Sequence, residues 1–385
     1  MNTIKATVKI AGFLLVVLLA LGCGGPMQGP VASSTPPTTP PTSPANRASS
    51  KFLYVVNSIE KTVQGFAIDA ATGTLASTGP AVAADDAPIY AASTPDGKFL
   101  YVANAGSKAI GVSAYRIDGL RGSLMPTTPA EFATTGDAEP FGVVVDPTST
   151  HVYTTNLHSV SAFSIDPATG ALSDVPGTPV AIPNTNLLGT LAITPDGRYL
   201  YAADIQNNSL WQFAITSSGL PQRMGAVATG DYPVGVVADP SGKFVYVANW
   251  RSNDVSRYSI TAATGVLVAG TSTTAAPEGC GPQELAVDPM SQHLFVSCAG
   301  LSSIARFAMD SSSGDLSGMM SFSTGQFTAP RGIAVDGSGG FLYSAWNMQN
   351  RAGAAAIDSG GSLNAVSGAV MTGRGPIGVA LSGRQ

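Results

Sequence analysis

Residues 233–267 read PVGVVADPSGKFVYVANWRSNDVSRYSITAATGVL, and recognisable copies of this stretch recur along the chain after residue 50. Each copy contains an apolar run, a turn such as Asp239-Pro240-Ser241-Gly242, and a second run ending in Tyr-Val-Ala-Asn or a variant of it. A polar loop, a third run and a hairpin closed by a Thr-Gly pair follow. Repetition at about 20–50 residues indicates supersecondary units that bury their faces against their neighbours. The 385 residues therefore form a repeat array rather than two ordinary domains.

Two signals count the repeats independently. The end of the second run occurs seven times, beginning at Tyr54, Tyr101, Tyr153, Tyr201, Tyr246, Phe295 and Tyr343. The start of the first run also occurs seven times, at Pro88, Pro140, Leu188, Pro233, Pro282, Pro330 and Pro376. The array begins with a second run, residues 51–57, and stops after a first run, residues 376–382. These two pieces make one complete unit, which predicts a closed ring of seven units.

The runs are short, β-branched and apolar on both alternating faces, which is typical of strands covered on both sides. Turns such as Thr94-Pro95-Asp96-Gly97 place Pro second and Gly fourth, as type I turns prefer. Hairpins such as Asp69-Ala-Ala-Thr-Gly73 end in a glycine suited to a left-handed position. We therefore predict an all-β, seven-bladed β-propeller of four-stranded antiparallel blades, closed by the carboxy-terminal strand.

The amino terminus resembles a bacterial lipoprotein signal. Lys5 and Lys9 precede an apolar segment too short for a permanent transmembrane helix, which ends at Leu21-Gly22-Cys23. The resemblance implies export, acylation of Cys23 and anchoring to the cell envelope, with the domain periplasmic or at the cell surface. The alternative is an ordinary cleaved signal with an incidental cysteine. We expect three regions: residues 1–23 as signal, residues 24–50 as a disordered Pro/Thr/Ser-rich tether, and residues 51–385 as the propeller.

Charge and cysteine content restrict the partners and the compartment. Nineteen Lys and Arg against 24 Asp and Glu leave no basic stripe, so neither nucleic acid nor an anionic membrane surface is expected as a partner. An oxidising compartment favours a disulfide between Cys280 and Cys298. In a hairpin turning at residues 288–292, Cys298 would face Gln283 and Cys280 would lie on a loop that folds back. Two free buried thiols are the alternative.

Candidate site residues are those that break the repeat at one rim of the central channel. Polar residues replace Gly or Val just after the repeat prolines, and this is how a symmetric scaffold commonly acquires a site. The predicted ligand-binding residues are Tyr90, Glu139, His158, Thr190, Trp250, Arg251, Gln283, Glu284, Arg331 and Asn347. Trp346 and Arg351 also stand out in the second ring of loops. Alternatively, Glu284 and Arg331 neutralise each other and the tryptophans cap blade ends.

The strand ends, turns and Ile-Asp-x-x-Thr-Gly-x-Leu hairpins resemble the YVTN-type propellers of the lactonase-like family, which includes 6-phosphogluconolactonases. The resemblance covers residues 51–385. It implies Arg-His after the proline in one late blade and His in early blades. Here Gln283-Glu284 follows Pro282, and only Arg331, after Pro330, matches. Glu284 or Glu139 would therefore have to act as the base in lactone hydrolysis.

Two functions remain open on this basis. The first is a lipid-anchored, monomeric binding module that recognises a small molecule, a glycan or an envelope protein at its channel mouth. The second is a hydrolase or isomerase that acts on a lactone or sugar acid. Convergence of Glu284, Arg331 and Arg251 on one cavity would favour the enzyme. We find no metal-ligand spacing or phosphate-binding motif and expect no cofactor.

Overall fold

The computed structural model describes residues 51–106, 111–134, 139–270 and 274–383. The predicted signal, Cys23 and the tether lie outside the described residues. The first strands are β1 (Phe52–Asn57), β2 (Thr62–Ile68), β3 (Leu75–Ser77), β4 (Val82–Ala83), β5 (Pro88–Ser93), β6 (Phe99–Asn104), β7 (Gly111–Ile117), β8 (Leu124–Ala133), β9 (Val143–Val145), β10 (His151–Thr155), β11 (Ser159–Ile165), β12 (Leu172–Asp174) and β13 (Val180–Ala181).

The next strands are β14 (Leu188–Ile193), β15 (Tyr199–Asp204), β16 (Ser209–Ile215), β17 (Pro221–Ala228), β18 (Pro233–Ala238), β19 (Phe244–Asn249), β20 (Asp254–Ile260), β21 (Leu267–Ala269), β22 (Thr274–Ala275), β23 (Pro282–Val287) and β24 (His293–Cys298). A short 3-10 helix at Ala299–Leu301 follows. The last strands are β25 (Ser303–Met309), β26 (Leu316–Ser323), β27 (Pro330–Val335), β28 (Phe341–Trp346), β29 (Arg351–Ile357), β30 (Leu363–Ala365), β31 (Val370–Met371) and β32 (Pro376–Leu381).

These strands form seven antiparallel sheets, which confirms the predicted seven-bladed propeller. Blades 2 to 7 run in chain order from an inner strand to an outer strand, as in β18-β19-β20-β21. Blade 1 has the order β3-β2-β1-β32, so the carboxy-terminal strand is its inner strand. In four blades the outer strand is interrupted, and its second piece, such as β22, pairs separately with the third strand. The ring of blades closes because blade 1 combines the first three strands of the repeat array with its last strand.

The turns between the first two strands of each blade repeat one hydrogen-bond pattern. The carboxylate of Asp239 accepts from the N–H groups of Lys243 and Phe244, at 2.9 and 2.8 Å. The hydroxyl of Thr94 accepts two N–H groups in the equivalent turn. Asp and Thr can therefore alternate at this position because either oxygen satisfies the turn's free donors. The fourth residue, as at Gly242, has a φ of +72° and needs glycine.

A second repeated contact joins neighbouring blades. Gly265, in the hairpin between β20 and β21, lies against the ring of Tyr199 in the preceding blade, where a Cβ would overlap the ring. The hydroxyl of Tyr201 donates to the carbonyl of Gly265 at 2.7 Å. The Tyr of the tetrapeptide and the hairpin glycine thus form one interface. The glycine-on-ring contact recurs for Gly73 and Phe341, Gly122 and Phe52, Gly170 and Phe99, Gly219 and His151, Gly314 and Phe244, and Gly361 and His293.

These repeated contacts between blades explain the positions of two of the three histidines. His151 and His293 occupy positions that other blades fill with an aromatic residue, and His293 Nδ1 lies 2.7 Å from the carboxylate of Asp288 in the adjacent turn. Both histidines are on the rim opposite the candidate site. They stabilise the blade interfaces.

The predicted disulfide is present and joins Cys280 to Cys298. The predicted register is wrong by one residue at this end of the hairpin, because Cys298 faces Pro282 rather than Gln283. The cause is a β-bulge between Pro282 and Leu285, which adds a residue on the inner strand. The bond ties the loop before the inner strand to the end of the second strand, beside the channel mouth.

Most of the hydrophobic core lies between the blades. One such cluster combines Tyr246 and Ala248 of blade 5 with Leu294 and Val296 of blade 6, all fully buried. Packing between neighbouring sheets explains why the inner strands are apolar on both faces. Within the described ranges, no helix has the length and apolar character needed to cross a membrane.

Candidate functional site

The candidate site is built at the rim where inner strands begin and second strands end. Pro233 pairs with Asn249 in blade 5, and Pro330 pairs with Trp346 in blade 7. In most blades the inner pairing is interrupted by a bulge just after the proline, as between Pro88 and Tyr90. A bulge changes the direction of the side chains that follow it. The residues after the repeat prolines therefore do not keep the strict alternation of a regular strand.

Ring closure brings Tyr90 to Glu284. The inner strands contact one another in the circular order β32, β5, β9, β14, β18, β23, β27 and back to β32. Tyr90 on β5 and Glu284 on β23 are three places apart in a ring of seven, so they approach from opposite sides of the channel. The phenol of Tyr90 nevertheless interacts with the carboxylate of Glu284. The Tyr90–Glu284 interaction therefore spans the channel at the mouth.

Glu284 has a strongly perturbed carboxyl group at the mouth. Burial raises its pKa to about 7, and this rise occurs despite the opposing effects of the Tyr90 hydroxyl and a backbone N–H. Its Oε2 atom is closed off from solvent and has no hydrogen-bond partner. A carboxyl group with this pKa is substantially ionised and substantially protonated near neutral pH, which suits it to proton transfer.

Arg331 stands on the neighbouring inner strand, β27, and is only 6% exposed. Its Nη1 donates to Gln283 Oε1 at 2.7 Å. Burial lowers the pKa of the guanidinium to about 10, while interaction with Tyr90 opposes that decrease. Arg331 therefore remains a cation at neutral pH. The raised pKa of Glu284 argues against neutralisation by Arg331, because a closely paired arginine would lower it.

Tyr90 faces both charged residues. Burial and Glu284 raise the pKa of its phenol well above the ordinary value, while Arg331 acts in the opposite direction. The phenol stays protonated at neutral pH and can donate a hydrogen bond. Its ring lies 5.5 Å from the ring of Phe141 on the next blade. Tyr90, Gln283, Glu284 and Arg331 are called the channel cluster below.

An apolar wall stands beside the channel cluster. Ile89, Ala105 and Phe141 form a buried group at the beginnings of blades 2 and 3, and Tyr90 and Ile377 pack against it. The polar members Gln283, Glu284 and Arg331 come from blades 6 and 7. The mouth therefore has an apolar side and a polar side.

Glu139 and Thr190 are also at the mouth, with different surroundings. Glu139 is 7% exposed and has a φ of +77°, a conformation that is uncommon outside glycine. The hydroxyl of Thr190 donates to Val234 O at 3.1 Å and accepts from Val236 N at 2.9 Å. Thr190 therefore joins two inner strands, and its hydroxyl is already occupied in that role.

The remaining predicted residues lie in the second ring of loops. His158 is exposed, and its Nε2 lies 3.0 Å from Asn186 Oδ1. The amide of Asn347 donates to Pro376 O at 3.0 Å, which links the loop to the inner strand of blade 1. Trp346 packs over Gly353 in its own blade, and its Nε1 is buried without a hydrogen-bond partner. None of these contacts involves the channel cluster.

Arg251 lies in a second group of side chains, on the loop after β19. Its guanidinium carbon lies 5.0 Å above the ring of Tyr232, and Nη1 is 3.8 Å from Asp231 Oδ2. Trp250 packs against the same tyrosine, with ring centroids 5.4 Å apart. We call Tyr232, Trp250 and Arg251 the rim cluster. Tyr232 is missing from the sequence-based candidates, although its position before a repeat proline was a usable signal.

Within the described part of the chain, no three His, Cys, Asp or Glu side chains come together as a metal site would require. A buried carboxyl group, a buried guanidinium and a protonated phenol meet at one level of the channel.

Comparisons with known proteins agree with this architecture. The family model described as "Lactonase, 7-bladed beta-propeller" matches residues 34–184, 94–281 and 271–376. Among solved structures, the Pseudomonas aeruginosa periplasmic gluconolactonase is similar, with a TM-score of 0.72 and 20% identity over 87% of this chain and 99% of that chain.

A putative 6-phosphogluconolactonase from Bacteroides uniformis has a TM-score of 0.71 and 20% identity over 86% of this chain and 99% of its own. A protein from Lactobacillus plantarum has a TM-score of 0.72 and 20% identity, with 87% and 99% coverage. No curated protein sequence matches the chain. At these identities the solved structures establish a shared fold.

Proposed function

Since the chain belongs to the lactonase family of seven-bladed β-propellers, we propose that it hydrolyses a lactone at its channel mouth. The observation that carries the proposal is Glu284, whose pKa burial raises to about 7 in a cluster with Arg331 and Tyr90. Hydrolysis of a cyclic ester needs a base for water and a positive group for the developing oxyanion. The channel cluster supplies both types of group.

The roles follow from the charge of each residue. Ionised Glu284 accepts a proton from water as the water oxygen bonds to the lactone carbonyl carbon. Arg331 stabilises the resulting oxyanion, and Tyr90 donates a hydrogen bond. The ring C–O bond then breaks, Glu284 returns the proton to the leaving oxygen, and the product is a hydroxy acid, which ionises in solution. Gln283 positions Arg331 through its 2.7 Å hydrogen bond.

The decisive variant is Glu284→Gln, which keeps the side-chain shape and removes the base. We expect kcat for glucono-δ-lactone or another active lactone to fall by about 10²- to 10⁴-fold. The measurement is acid release at constant pH, corrected for spontaneous hydrolysis. In the wild type, kcat/KM should increase with pH through about 7, since Glu284 must be ionised.

Glu278→Gln is the matched control, because Glu278 is an exposed glutamate in the same blade. It should retain wild-type activity. A Glu284→Gln protein with full lactone turnover would contradict the proposal. Lack of turnover by the wild type across a broad lactone panel would contradict it as well.

The rim cluster favours a second candidate, the non-catalytic binding module. Arg251 and Trp250 are already arranged around the ring of Tyr232, and lactone hydrolysis does not use them. Such a cluster suits a small anionic or carbohydrate ligand. A ligand that binds wild type and Glu284→Gln equally, but not Trp250→Ala, would support this function instead.

We also propose that the protein works outside the cytoplasm, anchored through an acylated Cys23. The Cys280–Cys298 disulfide supports an oxidising compartment, and a structural neighbour is described as periplasmic. Replacing Cys23 by Ser should move the protein from the membrane fraction to the soluble exported fraction, measured by fractionation and immunoblotting. Retention of the variant in the membrane fraction would contradict the lipid anchor.

A further inference from the structure

Three exposed apolar side chains stand on the loops around the polar side of the mouth. Leu301, Phe327 and Met348 are 42%, 72% and 43% exposed. They come from the loops after β24, before β27 and after β28, the strands of blades 6 and 7. We call these three residues the apolar lip. Exposed apolar groups that gather beside a polar site are unusual on a soluble surface and mark binding regions.

Hydrogen bonds hold the three loops together. Met348 N donates to Thr328 O at 3.3 Å, next to Phe327. Ala329 N donates to the hydroxyl of Ser302, which follows Leu301, at 3.4 Å. The loop carrying Phe327 leads directly into Pro330 and Arg331. The loop with Phe327 therefore connects the apolar lip to Arg331 of the channel cluster along the chain.

The backbone beneath the lip is strained. The positive φ of Ala329, +43°, recurs before other repeat prolines, as at Ala87 and Tyr232, but Phe327 also has a φ of +55°, in the left-handed region. For a bulky side chain this conformation is a genuine outlier, and such outliers concentrate at ligand sites. Neither burial nor a ring contact explains why a phenylalanine stands at this position, since its side chain is mostly in solvent.

Three positive side chains around the mouth are already engaged by other groups, which disfavours a phosphorylated substrate. Lys61 lies 2.7 Å from Asp86, and Arg251 is paired with Asp231 and Tyr232. Arg331 is buried, and Gln283 already accepts its Nη1 hydrogen bond. A phosphate ester needs cations or N–H groups directed at its oxygens. The wall formed by Ile89, Phe141 and Ile377 on the other side of the channel is apolar as well.

We infer that the substrate is an uncharged lactone with a hydrocarbon substituent, whose chain lies on the apolar lip while its ring reaches Glu284. This inference rests on the proposed lactone hydrolysis and names the substrate class for it. A chain on the lip removes its own surface and that of Phe327 and Met348 from water. The ester ring meets the polar side of the mouth, where Gln283, Glu284 and Arg331 lie.

The experiment compares three six-membered lactones: δ-valerolactone, δ-decanolactone and glucono-δ-lactone. We expect kcat/KM to be highest for δ-decanolactone, at least about thirtyfold above δ-valerolactone, since each buried methylene contributes about two- to fourfold. Phe327→Asn should reduce the kcat/KM preference for δ-decanolactone about tenfold. It should leave kcat/KM for δ-valerolactone unchanged. Asparagine tolerates a positive φ, so this substitution should not unfold the loop.

Met348→Ser and Met290→Ser form a matched pair. Both methionines are exposed, but Met290 lies in the turn at the opposite rim. Only Met348→Ser should reduce the preference for δ-decanolactone. Preference for glucono-δ-lactone, with no effect of Phe327→Asn, would overturn the inference while the proposed hydrolysis stands.

Complete inactivity on all three lactones would contradict the proposed hydrolysis, and the lip is then tested by binding. Saturation-transfer NMR with δ-decanolactone should give a signal for the wild type that Phe327→Asn weakens. Equal signals from the two proteins would overturn the inference.

Discussion

The two rims of the propeller are built from the same seven repeats, yet only one of them varies. At the far rim, Asp239 and Thr94 serve the same purpose in their turns, and Gly265 and Gly73 meet the same kind of ring. At the mouth, equivalent positions hold Gly332 in one blade and Glu284 in another. The far rim shows what the fold requires of every blade. Departures from the repeat at the mouth indicate where chemistry has been added.

The same comparison shows which left-handed residues belong to the repeat. Left-handed residues at the far rim are mostly turn glycines such as Gly97, Gly197 and Gly242. At the mouth, the residue before the repeat proline is left-handed in six blades, at Ala87, Glu139, Tyr232, Gly281, Ala329 and Gly375. This conformation is therefore part of the fold, even where it holds a large side chain at a cost of order 1–3 kcal/mol. Phe327 does not occupy this position, so its left-handed backbone needs a local explanation.

The largest expected effect comes from opening the ring of blades, which should disrupt the structure of both rims. Removal of residues 376–385 deletes the inner strand of blade 1, including the fully buried Ala380 and Leu381. It also removes Ser382, whose Oγ accepts from Phe52 N at 3.0 Å. We expect loss of cooperative unfolding, measured by circular dichroism and calorimetry. Removal of residues 383–385 alone should leave the melting curve unchanged, and a cooperative transition in the longer truncation would argue against ring closure.

The next effect tests the repeated contact at the far rim within one blade. Gly265 and Gly242 have φ values of +71° and +72°, but only Gly265 faces an aromatic ring at close range. Gly242→Ala should cost about 1–2 kcal/mol of unfolding free energy from the backbone alone. Gly265→Ala should cost roughly 1–3 kcal/mol more, because its Cβ overlaps Tyr199. Equal losses of unfolding free energy for the two variants, measured by chemical denaturation, would show that the contact with Tyr199 adds no cost to that of the backbone conformation.

The last effect on stability depends on pH and concerns Glu284, at the mouth. Its pKa is about 7 in the folded protein and about 4.5 when unperturbed, so folding favours the protonated form. This contribution to stability is complete below about pH 4.5 and is lost as the pH rises through 7, about 3 kcal/mol in all. Glu284→Gln should therefore gain about that much relative to wild type between pH 4 and 8, measured by urea denaturation.

Glu278→Gln serves as the control and should follow the wild-type pH dependence. Tyr90→Phe tests the same pKa in the opposite direction, since the Tyr90 hydroxyl lowers the pKa of Glu284. Its loss should move the midpoint of the stability curve, and of the activity profile, to higher pH. A Glu284→Gln protein that tracks the wild type at every pH would show that the carboxyl group is not perturbed.

Local patterns in the sequence were enough to predict the blades, their number and the closing strand. Each turn and hairpin is formed by residues close together in the chain, so its chemistry is visible without the fold. The disulfide between Cys280 and Cys298 was predictable for the same reason. Its register was not, because the bulge after Pro282 depends on how inner strands crowd around the channel. The role of Thr190 as a link between inner strands was missed for a similar reason.

The sequence by itself determined the repeat, the closed ring and the rim at which the repeat breaks, because all three are properties of short segments. Only the tertiary structure decided that Tyr90 reaches Glu284 across the channel, although 194 residues separate them. It also placed Arg251 over the ring of Tyr232, a residue that was not among the sequence-based candidates. A pKa near 7 for Glu284 arises from burial that exists only once seven blades surround it.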